Sequence, residues 1–159
     1  MNALRIRGGN RLKGEWTVHS AKNAVLPIMA ASILTGEGTV LTRCPLLSDI
    51  GYMGDILEML GCRVCRQGSD IHIDPQGLCS WEMPDELSKK IRSSIFLMGP
   101  ILARFGKATV TFPGGCEIGL RPIDLHLSGL AQLGVEISEE GGLSHCDGRS
   151  MRAGSVHFD

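Results

Sequence analysis

The run Pro113-Gly114-Gly115-Cys116-Glu117-Ile118-Gly119-Leu120-Arg121-Pro122 places one thiol in a glycine-rich loop. Glycines at 114, 115 and 119 permit sharp turns and close backbone approach to a ligand. Behind the loop, Ile123, Leu127, Leu130 and Leu133 form an apolar stripe that stops at Gly134. That pattern predicts a helix opened by Arg121-Pro122, since proline suits a first turn and glycine the position after the last. The free N–H groups of a helix start, with the Arg121 guanidinium beside them, would make an anion site. A thiol next to such a site ionises more readily than a free cysteine. Taken alone, the run also fits a tight loop around an ordinary buried cysteine.

Two basic segments could work with it. Ser20-Ala21-Lys22-Asn23-Ala24 precedes one apolar helix pattern, and Lys90-Ile91-Arg92-Ser93-Ser94 opens another. Each could hold phosphate or carboxylate, or be only a solvated cap or an exposed basic turn. A third motif, Cys62-x-x-Cys65, reads as zinc or redox chemistry in some chains. Here no second tight ligand pair accompanies it, and it lies inside a short strand rather than at a strand-to-helix turn. A structural role fits it better, and no metal or cofactor is expected.

The elements that must carry these groups fall into two copies of one unit. In the first, over 22–74, the pattern predicts a helix at 23–34, buried all round, and a strand at 38–42. A second helix follows with Ser48-Asp49 as its cap, then strands at 63–66 and 70–74. In the second, over 90–147, the helix stripe is Ile91, Ile95, Met98, Leu102, with a kink expected at Gly99-Pro100. A strand at 108–112, a helix ending at Leu133-Gly134 and strands near 135–138 and 143–146 complete it. The period of roughly 55 to 60 residues points to a repeat architecture, and the alternation of helix and strand to an α/β fold. Matching glycines are offset by 68 at Gly38 and Gly106 and by 73 at Gly61 and Gly134. About five extra residues therefore fall in the second copy's loop, the one holding Cys116. The equivalent placement of the two basic segments would bring them to one end of the fold. Leu4-Arg5-Ile6 and Trp16-Thr17-Val18 read as strands without a counterpart, and the segment from Ser155 reads as the start of a third copy.

The chain has 159 residues, 43% of them hydrophobic, with 21 glycines and a net charge of −1. A nucleic-acid binder would show a basic balance, and no apolar run is long enough to span a membrane. The N-terminus has no signal-peptide pattern, so the expected compartment is the cytoplasm.

Together these stretches resemble the UDP-N-acetylglucosamine 1-carboxyvinyltransferase family, the enolpyruvyl transferases of peptidoglycan precursor synthesis. The likeness rests on Ala21-Lys22-Asn23-Ala24-Val25-Leu26-Pro27, Lys90-Ile91-Arg92-Ser93-Ser94, Gly99-Pro100, Ala103-Arg104-Phe105-Gly106, and the cysteine loop through Arg121-Pro122-Ile123-Asp124-Leu125-His126. It implies an inside-out α/β barrel built of repeated helix-strand-helix-strand-strand units. In that reading residues 1–21 belong to a second domain, and 22–159 form a first domain cut inside its third unit. The implied reaction moves the enolpyruvyl group of phosphoenolpyruvate to the 3-hydroxyl of UDP-N-acetylglucosamine and releases phosphate. By the same resemblance Cys116 is the general acid, Lys22 meets phosphoenolpyruvate, and Asn23 lies between the substrates. Arg92 and Arg121 bind anionic groups, and Arg121, Pro122, Ile123, Asp124 and Leu125 line the nucleotide sugar. The remaining groups, an aspartate base among them, would lie in the missing C-terminal part, so the chain alone is expected to be inactive.

Two other readings stay in view. The related 5-enolpyruvylshikimate-3-phosphate synthases share fold and donor but do not use a cysteine loop of this type. A non-catalytic remnant that holds a nucleotide sugar would keep the same residues. Open sheet edges are expected to favour self-association.

Overall fold

The computed structural model describes residues 3–18, 20–111 and 123–158. Its elements follow the predicted unit twice. The first unit contains α1 (Lys22–Ala31), a 3-10 turn (Ser32–Leu34), β1 (Thr39–Leu41), α2 (Ser48–Met59), β2 (Arg63–Gln67) and β3 (Asp70–Asp74). A short helix, α3 (Asp85–Ser88), leads to the second. There a 3-10 helix (Arg92–Leu97) runs into α4 (Met98–Phe105), followed by β4 (Lys107–Thr111), α5 (Asp124–Gln132), β5 (Glu136–Glu140) and β6 (Leu143–Asp147).

Each unit makes a three-stranded antiparallel sheet with its last strand in the middle, in the orders β1-β3-β2 and β4-β6-β5. The registers correspond. Val40 lies opposite His72 and Thr109 opposite His145, offsets of 69 and 73 between the units. The structural insertion in the second unit is therefore four residues, one fewer than the glycine spacing gives.

A further correspondence ties each unit to the chain that follows it. Cys79 N–H donates to the Leu60 carbonyl (3.0 Å), and Arg152 N–H donates to the Leu133 carbonyl (2.9 Å), again 73 residues on. The glycines beside these carbonyls are required there. A Cβ on Gly61 (φ +104°) would sit 2.2 Å from the Gly77 carbonyl oxygen, and one on Gly134 (φ +92°) 2.8 Å from that of Ser150. Only glycine combines a left-handed backbone with so close a crossing.

Helices and sheets share one aliphatic core. Met29, Ile33, Met53, Ile56, Leu57, Leu60, Leu97 and Ile101 are fully buried, and Ile71, Ile73, Ala108, Val110 and Cys146 close it from the inner sheet faces. Outer faces carry polar residues, the alternation expected of antiparallel sheets solvated on one side.

Several expectations need correction. Helix α1 is not buried all round: Val25, Leu26, Met29 and Ala30 face the core, but Ile28 is 50% exposed. Ser48 does not cap α2; Leu47 holds the cap position, without a side-chain bond, and Ser48 is already helical. The irregularity expected at Gly99-Pro100 lies earlier, in the 3-10 helix, because proline is accommodated in the first turn of α4. Helix α5 begins at Asp124; Arg121 and Pro122, expected to open it, lie outside the described residues. Residues 3–18 and 149–158 contain no strand.

The sequence also missed a neighbour of β4. Met83 N–H donates to the Thr109 carbonyl and Thr109 N–H to the Trp81 carbonyl, both at 3.0 Å, so residues 81–83 run parallel beside β4. Trp81 then packs edge-on against Phe105 (6.1 Å between centroids), and the Lys107 ammonium lies over its indole at 3.2 Å.

Candidate functional site

Lys22 is the first residue of α1, and its Nζ lies 2.7 Å from Asp49 Oδ2 in the first turn of α2. Three residues on, the Tyr52 ring receives the Lys90 ammonium at 5.4 Å. Residues three apart share a helix face, so the opening turns of α2 gather both basic segments. This is the convergence expected from their equivalent places in the repeat. Asp49 and Tyr52 were not singled out in the sequence as site residues. Their spacing on the helix, off the Ile50, Met53, Leu57 stripe, is the signal that marks them.

The Lys22–Asp49 pair is partly exposed, at 42% and 34% for the two side chains, so solvent screens it and the ammonium remains exchangeable. Asn23 is exposed on the next position. Pro27, four residues later, has no N–H, which leaves the Asn23 carbonyl without its α-helical donor. Polar groups of Asn23 are therefore free of the helix ladder at the end that bears Lys22.

Arg92 is the first residue of its 3-10 helix and is exposed. Its turn is held from beneath. Ser94 Oγ donates to the carbonyls of Ser88 (3.0 Å) and Ile91 (2.9 Å), and Ile91 is 2% exposed. The same helix packs against α1, the helix that Lys22 opens.

Of the remaining predicted site residues, Cys116, Arg121 and Pro122 lie outside the described residues, between Thr111 at the end of β4 and Ile123. Ile123, just before the start of α5, is buried (3% exposed). Asp124 and Leu125 are exposed at the start of α5, Leu125 to 63%.

The other cysteines have a different chemistry. Burial, and secondarily the Asp74 carboxylate, pushes the Cys62 thiol up to about 11. Burial also raises Cys44 and Cys146. Protonated, buried thiols are poor nucleophiles and poor metal ligands. Cys65 is exposed on β2. No group of three or more metal-ligating side chains is found among the described residues. A groove of about 550 Å³ on the outer face of the second sheet, lined by Trp81, Lys107, Thr109 and His145 among others, holds none of the predicted site residues.

Residues 6–159 match the family model described as EPSP synthase (3-phosphoshikimate 1-carboxyvinyltransferase). The chain is 50% identical over 159 residues to UDP-N-acetylglucosamine 1-carboxyvinyltransferase 2 of Caldanaerobacter subterraneus, covering all of this chain and 38% of that protein. It is 46% identical over 157 residues to the UDP-N-acetylglucosamine 1-carboxyvinyltransferase of Gloeobacter violaceus, covering 98% of this chain and 34% of that one. Among solved structures it is similar to the enolpyruvyl transferase NikO from Streptomyces tendae, with a TM-score of 0.76 and 21% identity over 89% of this chain and 31% of the other. EPSP synthase from Acinetobacter baumannii is similar at a TM-score of 0.56 and 17% identity, over 84% and 32%. The fold is thus of the enolpyruvyl transferase type, and the chain spans less than two fifths of the length of these relatives.

Proposed function

The chain belongs to the EPSP synthase family, and on that premise we propose that it contributes part of the active site of a UDP-N-acetylglucosamine 1-carboxyvinyltransferase. The observation that carries the proposal is the meeting of Lys22 and Lys90 on α2. Both proposed substrates are anions, and fixed cations stabilise charge that shifts during reaction without reorganising. The cysteine-loop sequence and the names of the 40–50% identical relatives favour a nucleotide sugar acceptor over shikimate phosphate.

In this reading Lys22 leaves Asp49 to meet the phosphate of phosphoenolpyruvate, and Asp49 keeps the ammonium at the helix end until then. Arg92 and Arg121 hold further anionic groups, Asn23 lies between the substrates, and Arg121, Pro122, Ile123, Asp124 and Leu125 flank the sugar nucleotide. The Ile123 side chain also anchors the start of α5 in the core. Cys116 protonates the enol methylene carbon while the sugar 3-hydroxyl bonds to the adjacent carbon and gives its proton to a base outside this chain. Loss of phosphate, with the methyl proton returned, leaves the enolpyruvyl ether. No resident cofactor is required. Residues 1–21 pack with a second domain, 22–159 belong to the first, and the reaction takes place in the cytoplasm. The 159-residue chain alone has no turnover.

A chimera tests this, with residues 1–159 replacing the homologous segment of the Caldanaerobacter relative. Phosphate release that requires both phosphoenolpyruvate and UDP-N-acetylglucosamine, and that Cys116→Ala abolishes, is expected. A folded chimera that binds the nucleotide sugar without releasing phosphate would instead establish the non-catalytic reading.

A further inference from the structure

Three lysines near the opening turns of α2 are held in two different ways. Lys22 donates to Asp49 at 2.7 Å, and Lys89 to Asp85 at 2.7 Å. Lys90, next in the chain, has no ion pair among the described residues. Its ammonium sits over the Tyr52 ring instead, 5.4 Å from the centroid. A carboxylate accepts the hydrogen bonds of an ammonium, whereas an aromatic face attracts the charge and leaves the N–H donors for another acceptor. Lys90 is therefore positioned by the half-buried Tyr52 with its donors still available.

The backbone aims Lys90 and Arg92 the same way. Ile91 between them is extended (φ −131°, ψ 136°) and 2% exposed, so its side chain is turned into the core. The residues flanking an extended residue share the opposite side, at a spacing of about 6.5 Å. Lys90 and Arg92 are accordingly both exposed. Ser94 Oγ braces the turn beneath them through the Ser88 and Ile91 carbonyls. Two cations a short step apart on one side of a braced turn suit an anion with two adjacent charged groups better than a single phosphate. Lys22, on its own carboxylate one helical turn from Tyr52, makes a separate position.

We propose that Lys90, oriented by Tyr52, binds the diphosphate of the sugar nucleotide alongside Arg92. This rests on the reading of the chain as part of a UDP-N-acetylglucosamine 1-carboxyvinyltransferase and adds two residues to it. The ammonium keeps its place over the ring while its N–H groups donate to a phosphate oxygen. Lys90 touches the ligand; Tyr52 acts through Lys90 and is a positioning residue.

Calorimetric titration of the Caldanaerobacter chimera with UDP-N-acetylglucosamine tests this without requiring turnover. Lys90→Gln removes a charge-assisted bond at an exposed position, so it should keep the wild-type circular dichroism and raise the Kd about tenfold. Tyr52→Leu should raise it about threefold, while Tyr52→Phe, which keeps the ring, should bind as the wild type does. Lys90→Gln combined with Tyr52→Leu should bind no worse than Lys90→Gln alone, because the ring acts only through the lysine. Phosphoenolpyruvate, with its single phosphate, should bind the Lys90→Gln chimera as tightly as the wild type. A chimera that shows this pattern but releases no phosphate would favour the non-catalytic reading and still support the role of Lys90. The proposal is overturned by a wild-type chimera that does not bind the nucleotide sugar, or by a Kd that Lys90→Gln leaves unchanged. Additive losses in the double variant, or a loss confined to phosphoenolpyruvate, would overturn it as well.

Discussion

The two units share topology and register but not burial. In the first, Ile50, Met53, Ile56 and Leu57 of α2 are sealed in the core. In the second, α5 has no fully buried residue, and Leu127 and Leu130 are only half covered. The first unit turns from β1 to α2 through a short connection, whereas the second inserts the cysteine loop. One unit therefore serves as the scaffold, and its α2 also presents Asp49 and Tyr52 to both basic segments. The other has the cysteine-loop sequence before a helix less firmly packed. The contrast fits the general pattern in which loops on a rigid frame bear function.

Substitution at paired positions would sharpen or break this contrast. The largest effect is expected at the helix-end crossings. Gly61→Ala combines a left-handed backbone with a 2.2 Å approach to a carbonyl oxygen, and should cost roughly 4 kcal/mol or prevent folding. Gly134→Ala, with 2.8 Å, should cost about half that by urea unfolding. Equal losses would mean that the second crossing is as essential as the first.

Core truncation comes next. Leu57→Ala should destabilise by about 3 kcal/mol, since the site is fully buried, and Leu127→Ala on α5 by about 1 kcal/mol. A larger loss at Leu127 would show α5 to be as much a part of the core as α2.

Thiol reactivity tests the cysteine assignment. Iodoacetamide at pH 8 should alkylate Cys65 and Cys79 well ahead of Cys44, Cys62 and Cys146, as read by peptide mass spectrometry. Because the folded Cys62 pKa of about 11 exceeds that of an unfolded thiol, its share of stability is complete below the unfolded value, about 8.5. It is lost as pH rises from there toward 11. Stability in Cys62→Ala should fall less steeply over that window.

The smallest effect separates the equivalent aspartates Asp74 and Asp147. Arg149 holds the Asp147 carboxyl down at about 2. The melting-temperature advantage of wild type over Arg149→Gln should therefore be small and constant above pH 4, and shrink as pH falls toward 2. A difference that grows on acidification would contradict this assignment.

Periodicity and turn residues were enough to place both helix-strand-helix-strand-strand units. Their helical stripes and closing glycines are local consequences of 3.6- and 2-residue repeats, and each depends on neighbours close in the chain. The cysteine loop, Lys22, Asn23 and Arg92 were visible for the same reason, as residue types in short contiguous runs. Tertiary structure alone decided the rest. The Lys22–Asp49 pair spans 27 residues of chain, and Asp49 looked like a cap because its partner lies on another helix. Residues 81–83 run along β4 only because β4 offered an edge. A strand is completed by its partner and an ion pair by packing, so neither can be read from the segment that supplies half of it.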